Sequence, residues 1–357
     1  MTTPVARINL AALRHNLNRV REVATGCRVI AAIKANGYGH GLIQVARVLS
    51  DADALAVARV EEALLLREAA FDGRIMVLEG FNSLPELILC RHSDLDLVIH
   101  DCSQLELLEK LPDGRMPLRV WVKIDTGMHR IGIQTVEASA VINQLDQMDD
   151  VILVGIMTHF ANADDRKNGY TEWQIENFAP FIDPRLEVSI ANSAGILGWP
   201  ESRKGWVRPG IMLYGTSPFP DSLASEEGLL PVMTLRTRLI AIRHLHKGDM
   251  IGYGSTFVCP EDMTVGVAAI GYGDGYPRHA PNGTPVLVNG QRAALAGRVS
   301  MDMLTIDLRR IDNPRVGDPV VLWGEGLPAE EIATAAGTIT YELFCRLTGR
   351  VKYRYEE

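Results

Sequence analysis

The 357-residue sequence has little that would hold it in an oxidising compartment, on a nucleic acid or across a membrane. Its five cysteines, Cys27, Cys90, Cys102, Cys259 and Cys345, are odd in number, widely spaced and form no CxxC pair. This pattern supports neither a disulfide framework nor a zinc cluster and points to reduced thiols in a cytoplasm. Basic blocks are missing too. The 44 acids outweigh 36 Lys and Arg, giving a net charge of -8, so neither nucleic acid nor an anionic membrane is an expected partner. No stretch approaches the roughly 18 uncharged apolar residues of a spanning helix, and Met1 to Leu10 lacks a basic region followed by an apolar run, so a soluble, unsecreted protein is expected. There is no internal repeat or low-complexity segment. Lysine is scarce: seven (34, 110, 123, 167, 204, 247, 352) stand against 29 arginines.

What is present is a core-forming composition, 47% hydrophobic and 22% charged, enough for two domains or one large barrel with an addition. Apolar, β-branched runs at 29–33, 54–58, 75–78, 97–99, 118–124, 152–157, 186–190 and 207–213 carry too few polar positions for one-sided burial, and read as parallel strands. Helix-like stretches fill the gaps at 44–49, 61–70, 84–90, 103–110, 135–145, 169–181 and 194–197, with 10–22 preceding the first strand. Eight alternations fit an α/β (β/α)8 TIM barrel better than a doubly wound sheet of five or six strands. After Leu230-Pro231 the texture changes to Gly, Pro and short alternating runs, with turn pairs Asn282-Gly283 and Asn289-Gly290. The expected division is therefore a barrel over 1–230, its first ten or so residues packing on the second domain, and a mainly β domain over 231–357 with one helix near 329–336.

In such a barrel reactive groups sit at the carboxyl ends of the strands. Lys34 ends the first strand and Lys123 lies in the fifth, the only two lysines in strand-like runs. An ammonium beside Ala-Ala-Ile with no acid among its immediate neighbours is costly to bury, and desolvation favours the neutral, nucleophilic amine that Schiff-base chemistry needs. By itself the position suits equally a lysine paired with a distant acid. Gly37, Gly39 and Gly41, the Tyr38 hydroxyl, Ser193 before a helix start and the Arg208-Pro209-Gly210-Ile211 turn could together receive a phosphate. The glycine spacing is not that of a dinucleotide-binding unit. His159 with Asp164 and Asp165 matches no zinc pattern, so no metal is expected. His244 and His246 read as solvated, Met301 and Met303 as core on period alone, and the second glycine cluster, 271–277, as a turn.

The stretch Ala31-Ala-Ile-Lys34-Ala-Asn-Gly-Tyr38-Gly-His-Gly41 resembles the pyridoxal-phosphate lysine motif of alanine racemases. The likeness continues in order through Lys123-Ile-Asp-Thr-Gly-Met-His-Arg130, His159-Phe, Asn192-Ser193-Ala, Arg208-Pro-Gly-Ile-Met-Leu-Tyr214-Gly, Ile251-Gly-Tyr253-Gly-Ser-Thr-Phe, Gly271-Tyr272-Gly-Asp-Gly-Tyr-Pro-Arg278 and Gly297-Arg-Val-Ser-Met301-Asp302. The resemblance implies a fold-type III enzyme using pyridoxal 5'-phosphate to interconvert L- and D-alanine. It implies Lys34 as the Schiff-base lysine, Tyr38, Ser193, Gly210 and Ile211 around the cofactor phosphate, Asn192 among the cofactor-binding residues, Arg208 on the pyridine nitrogen, and His159 supporting that arginine. It further implies Arg130 at the cofactor phenolic oxygen and the substrate carboxylate, Met301 beside that carboxylate, Tyr272 at the entrance, and Lys123 as a carbamylated (N6-carboxy) lysine orienting Arg130. Tyr253, Met301 and Tyr272 would act across the interface of a homodimer with shared active sites. One departure stands out: Gly349-Arg350-Val351-Lys352-Tyr353 replaces a segment that in some members supplies another phosphate-binding tyrosine.

Racemisation needs one base on each face of the reacting carbon, so the resemblance casts Lys34 and Tyr253 as the pair. A phenol near pKa 10 then needs nearby positive charge, expected from His159 and Arg208. An arginine on the ring nitrogen donates only, which disfavours transamination. Lys123 beside Arg130 is a pair of like charges that carbamylation, a neutral amine or an intervening anion would resolve. The alternatives are a racemase of broader specificity (serine, lysine or arginine), a decarboxylase of the same barrel type, and a non-catalytic binder of the coenzyme.

Overall fold

The computed structural model describes residues 3–112, 114 and 116–357, so residues 1, 2, 113 and 115 of the expected first domain lie outside the described residues. Two units are distinguished, one comprising residues 14–213 and 218–221, the other residues 3–13, 214–217 and 222–357.

The first unit is the barrel. Its strands are β2 (Arg28–Ala32), β3 (Ala54–Val57), β4 (Ile75–Val77), β5 (Asp96–Ile99), β6 (Leu118–Asp125), β8 (Val151–Met157), β9 (Glu187–Asn192) and β10 (Trp206–Arg208), with the first strand of the chain, β1 (Val5–Asn9), outside it and the two-residue β7 (Ile133–Gln134) beside β6. Every neighbouring pair is parallel, and β5 pairing with β6 closes the ring. Strands β3, β4 and β5 are buried at every position, as both-face burial requires. Inside, Ile30, Ala54, Ala56, Met76, Val98, Trp121, Met157 and Trp206 fill the ring. At its amino-terminal end the buried Asp96 carboxylate accepts from Arg119 Nε at 2.7 Å, Arg74 Nε at 2.8 Å and Trp121 Nε1 at 3.0 Å. The Trp121 and Trp206 rings meet edge to face beside it. A floor so fully satisfied is a structural feature, and it leaves the opposite rim for chemistry.

The eighth strand is shorter than the sequence suggests. Residues 207–213 read as one apolar run, but the strand stops at Arg208 and Ile211–Tyr214 forms a 3-10 turn. Pro209 has no N–H to donate to a ladder, and the amides of Gly210 and Met212 are drawn to the Ser193 hydroxyl instead.

In the second unit β11 (Met233–Leu245) anchors an eight-stranded sheet. It pairs with Met263–Ala268 on one side and Pro319–Trp323 on the other, and hairpins complete the set. Asn289 and Gly290, with φ of 51° and 78°, make the tight turn between Pro285–Val288 and Gln291–Leu295 that their pairing suggests. Asn282-Gly283 joins no such pair of strands; Asn282 Oδ1 instead accepts from Gly297 N–H at 2.6 Å. Helix Ala329–Ala336 falls where expected, and a second, Thr340–Cys345, follows it. Strand β1, absent from the sequence reading, lies antiparallel to β11 (Val5 opposite Arg236) and parallel to Lys352–Glu356, with Ala6 and Ile8 facing the core. Five residues of alternation are too few to stand out ahead of the 14-residue helix Leu10–Val23.

Candidate active site

At the carboxyl end of β2 the chain does something side chains rarely permit. Ala35, Asn36, Gly37 and Tyr38 all have positive φ, between 50° and 62°, and Gly39 continues at 76°. For the three non-glycine residues this left-handed conformation costs roughly 1–2 kcal/mol each. The turn is held by Gly37 N–H to Ile33 O at 2.8 Å, Gly39 N–H to Ala35 O at 2.9 Å and Leu42 N–H to Asn36 Oδ1 at 2.9 Å. Glu62, from helix Val60–Glu68, accepts the Ala35 amide at 2.7 Å and the Asn36 amide at 3.4 Å. Strain concentrated in one turn is characteristic of functional sites. Lys34 is the residue this turn presents, half-buried just beyond the strand end.

Within the turn His40 is fully buried, its Nδ1 2.8 Å from Tyr38 O. Burial lowers its pKa to about 4, against the hydrogen bond to Tyr38, which raises it. In the unfolded chain it titrates near 6.5. Below that value the unfolded state binds the proton that the folded state refuses. The stability contributed by keeping His40 neutral is thus complete above pH 6.5 and is lost as pH falls toward 4, about 3 kcal/mol in all. His40→Gln should flatten this part of the stability profile. Urea unfolding from pH 4 to 7 checks it, and equal slopes for both proteins would contradict it.

Tyr38 leads to the second feature, a cradle of polar groups. A Cβ on Gly210 would lie 2.5 Å from the Tyr38 hydroxyl, so only glycine lets the backbone approach it. The buried Ser193 Oγ accepts from Gly210 N–H at 2.8 Å and Met212 N–H at 3.3 Å, and Ile211 lies between them. Asn192 caps helix Ser193–Gly198, its Oδ1 accepting from Gly195 N–H at 2.8 Å, so its side-chain oxygen is engaged locally. With both amides donating to its oxygen, the Ser193 hydroxyl keeps its O–H to donate, and together with the Tyr38 hydroxyl beside Gly210 it suits an oxyanion. The glycine-rich turn after Lys34, expected to share in that task, instead gives its first two amides to Glu62.

Arg208 is buried at the end of β10. Nη1 donates to Ser189 O at 2.7 Å and Ser189 Oγ at 2.6 Å, while Nη2 donates to Ile190 O at 3.3 Å and to Thr158 O. Four of the five N–H groups of a guanidinium are thereby committed, and Nε–H remains. Burial lowers its pKa to about 10, which leaves it cationic at neutral pH.

Lys34, Lys123, Arg130, His159 and Arg208 form one electrostatic cluster. Lys123 falls to about 7, chiefly through burial and then through Arg208, Arg130 and Lys34, with Asp125 opposing. His159 is held well below its ordinary value by burial and the same cations. The imidazole is therefore neutral, which corrects the expectation that it contributes positive charge: beside a buried guanidinium a second cation is too costly. Arg130, exposed, follows a loop that Asp125 organises by accepting from Gly127 N–H and His129 N–H, each at 3.0 Å. Asp125 is lowered in turn, burial opposing those bonds. Three residues outside the candidate set, Gln174, Thr126 and Thr158, tie the strand ends together. Gln174 donates to Thr126 Oγ1 at 3.3 Å and His159 O at 3.2 Å and accepts from Ala161 N–H at 2.8 Å, while Thr126 and Thr158 bond at 2.7 Å. A cluster so rich in cations suits an anionic ligand.

The remaining candidates belong to the second unit. Tyr253 is 69% exposed on a turn in which Gly252, Gly254 and Ser255 have φ of 71°, 72° and 51°. Tyr272 and Met301, 37% and 52% exposed, share a second turn through Tyr272 N–H to Ser300 O at 3.0 Å and Gly273 N–H to Met301 O at 2.8 Å. Met301 and Met303 are surface residues, which settles against the core place that their period alone left open. Arg350, from the departing segment, bridges the buried Asp274 at 3.1 Å and Asp302 at 2.7 Å and fixes this turn.

Residues 8–218 match the family Alanine racemase, N-terminal domain, and residues 232–355 the family Alanine racemase, C-terminal domain. Among curated proteins the chain is 53% identical to an alanine racemase of Nitrosococcus oceani over 352 residues, covering 98% of this chain and 99% of that one. It is 51% identical to one of Aeromonas hydrophila over 357 residues, covering 99% and 100%. Among solved structures, the biosynthetic alanine racemase of Pseudomonas aeruginosa superposes over 100% of both chains with a TM-score of 0.97 at 44% identity. With both family domains matched in order and relatives aligned end to end, the chain belongs to the alanine racemase family of isomerases.

Proposed function

We propose that the chain interconverts L-alanine and D-alanine by a two-base mechanism, with pyridoxal 5'-phosphate held at Lys34 and Tyr253 supplied by the partner subunit of a homodimer. The observation that carries this reading is the convergence of Lys34, the Tyr38–Ser193–Gly210 cradle and a donor-only Arg208 on one rim of the barrel. The residues fit the cofactor. Tyr38, Ser193, Gly210 and Ile211, with Asn192 behind them, would hold its phosphate; Arg208 has Nε–H left to donate and would serve its ring nitrogen, with the neutral His159 near that guanidinium. When bound, the cofactor supplies a conjugated electron sink for the pair of electrons left at the α-carbon.

Arg130 and Met301 receive the substrate carboxylate, and Tyr272 narrows the entrance. The Lys34 Nζ and Tyr253 Oη then each hold or give up a proton, one on each face, so that the reaction runs equally in both directions. Arg208 has no proton-accepting atom and keeps a carboxylate away from the ring nitrogen, which restrains side reactions. Lys123, with an amine near 7, is partly neutral at physiological pH and open to carbamylation, which would turn a cation crowding Arg130 into an anion that orients it. Among the described residues no helix is long and apolar enough to cross a membrane. The odd, scattered cysteines favour a reducing compartment, and on that ground we assign the protein to the cytoplasm.

The test is a visible spectrum of purified protein, borohydride trapping with peptide mapping, and a D/L-alanine exchange assay. Coenzyme trapped on Lys34 with alanine racemisation is the expected result. Faster turnover of serine, lysine or arginine would favour the broader racemase, and carbon dioxide release a decarboxylase. Bound coenzyme without turnover would leave a binding protein.

A further inference from the structure

We propose that Glu62 is a positioning residue for Lys34. It would act by clamping the left-handed turn that aims the lysine. The proposal rests on the reading of Lys34 as a base. Successive N–H groups at a tight turn can converge on a single anion. Here the anion is the protein's own carboxylate. Glu62 Oε1 takes Ala35 N–H at 2.7 Å and Asn36 N–H at 3.4 Å, the two amides that directly follow Lys34. Oε2 takes Ala58 N–H at 2.9 Å and Arg59 N–H at 3.4 Å, at the entry to its own helix.

One carboxylate thus joins the end of β2 to the end of β3, on top of the strand contact Ile33 N–H to Ala56 O at 2.8 Å. Ala35 and Asn36, whose amides Glu62 holds, would relax to negative φ if released. Such a relaxation would move the Cα of Lys34's neighbour and swing the amine away, while the Ser193–Gly210 contacts, which belong to other strands, would stay in place. The expected consequence is a loss of proton transfer on the Lys34 face without a comparable loss of ligand binding.

The variants are Glu62→Gln, which keeps one acceptor oxygen and turns an NH2 toward the other pair of amides, and Glu62→Ala, which removes both acceptors. Amide hydrogen exchange at Ala35 and Asn36, measured on the full chain, reads the clamp independently of turnover. Exchange at least about tenfold faster than in the parent is expected in Glu62→Gln. In the loaded enzyme kcat should fall about tenfold in Glu62→Gln and about a hundredfold in Glu62→Ala, with KM within about twofold of the parent. Equilibrium ties the two directions together in kcat/KM, so the diagnostic signal is the α-deuterium isotope effect, which should grow for one enantiomer only. Unchanged exchange at Ala35 and Asn36 would overturn the proposal, as would a loss of rate with isotope effects growing equally in both directions. If Glu62→Ala gives no cooperative melt, Glu62→Gln alone decides. Parent protein that racemises alanine with no coenzyme on Lys34 would overturn the base reading, whatever the exchange experiment shows.

Discussion

Lys34→Ala protein is expected to keep its fold and lose racemisation by at least about 10⁴-fold. The side chain is half-buried at the strand end, and the left-handed turn is held by backbone bonds and by Glu62, none of which uses the amine. Removing the amine takes away both the attachment point and one of the two bases. Borohydride should then fix no coenzyme at this position, while the thermal midpoint stays near that of the parent. A small added amine should restore part of the exchange, because the cradle and Arg208 remain to receive the ligand. Retained turnover above about 1% of the parent would sink the assignment.

Tyr253→Phe comes second, with a loss of about 10²–10⁴-fold in racemisation. The ring is 69% exposed in its own unit, so losing the hydroxyl has little to disturb in the fold. In deuterated water the variant should still wash out the α-proton of one enantiomer, the one whose proton faces Lys34, without inverting it. The other enantiomer should exchange slowly. Normal washout of both would exclude Tyr253 as a base. The homodimer makes a further demand. Mixed and reassembled, the two inactive variants should regain activity approaching about a quarter of the parent, because half the dimers are mixed and each has one intact site of two. No recovery after demonstrated exchange of subunits would place both groups in one chain.

Much of the barrel is legible because parallel strands buried on both faces leave continuous apolar runs. The run 118–124 became β6 (Leu118–Asp125), and 54–58 became β3 (Ala54–Val57). The reading fails where a local interaction overrides that pattern. Residues 207–213 look like one strand, yet Pro209 and the Ser193 hydroxyl end it after Arg208. Lys34 was visible as a lysine where solubility needs none. Its setting was not visible, because Ala35, Asn36 and Tyr38 carry no composition signal for positive φ, and Glu62 reads as an ordinary first-turn acid of a helix. The charge state of His159 depends on cations from three other strands or their loops, a neighbourhood only the closed ring creates.

Strand β1 has a consequence for how this chain matures. It sits between β11 and Lys352–Glu356, so its partners on both sides leave the ribosome after more than half of the polypeptide has been made. The barrel can close around its own consecutive strands during synthesis. Residues 5–9, by contrast, must wait as an unmated ribbon with Ala6 and Ile8 uncovered until residues 233–236 arrive, and with one edge open until residues 352–356 follow. Nascent chains halted before that point should therefore be the form that chaperones hold and that sticks to its neighbours.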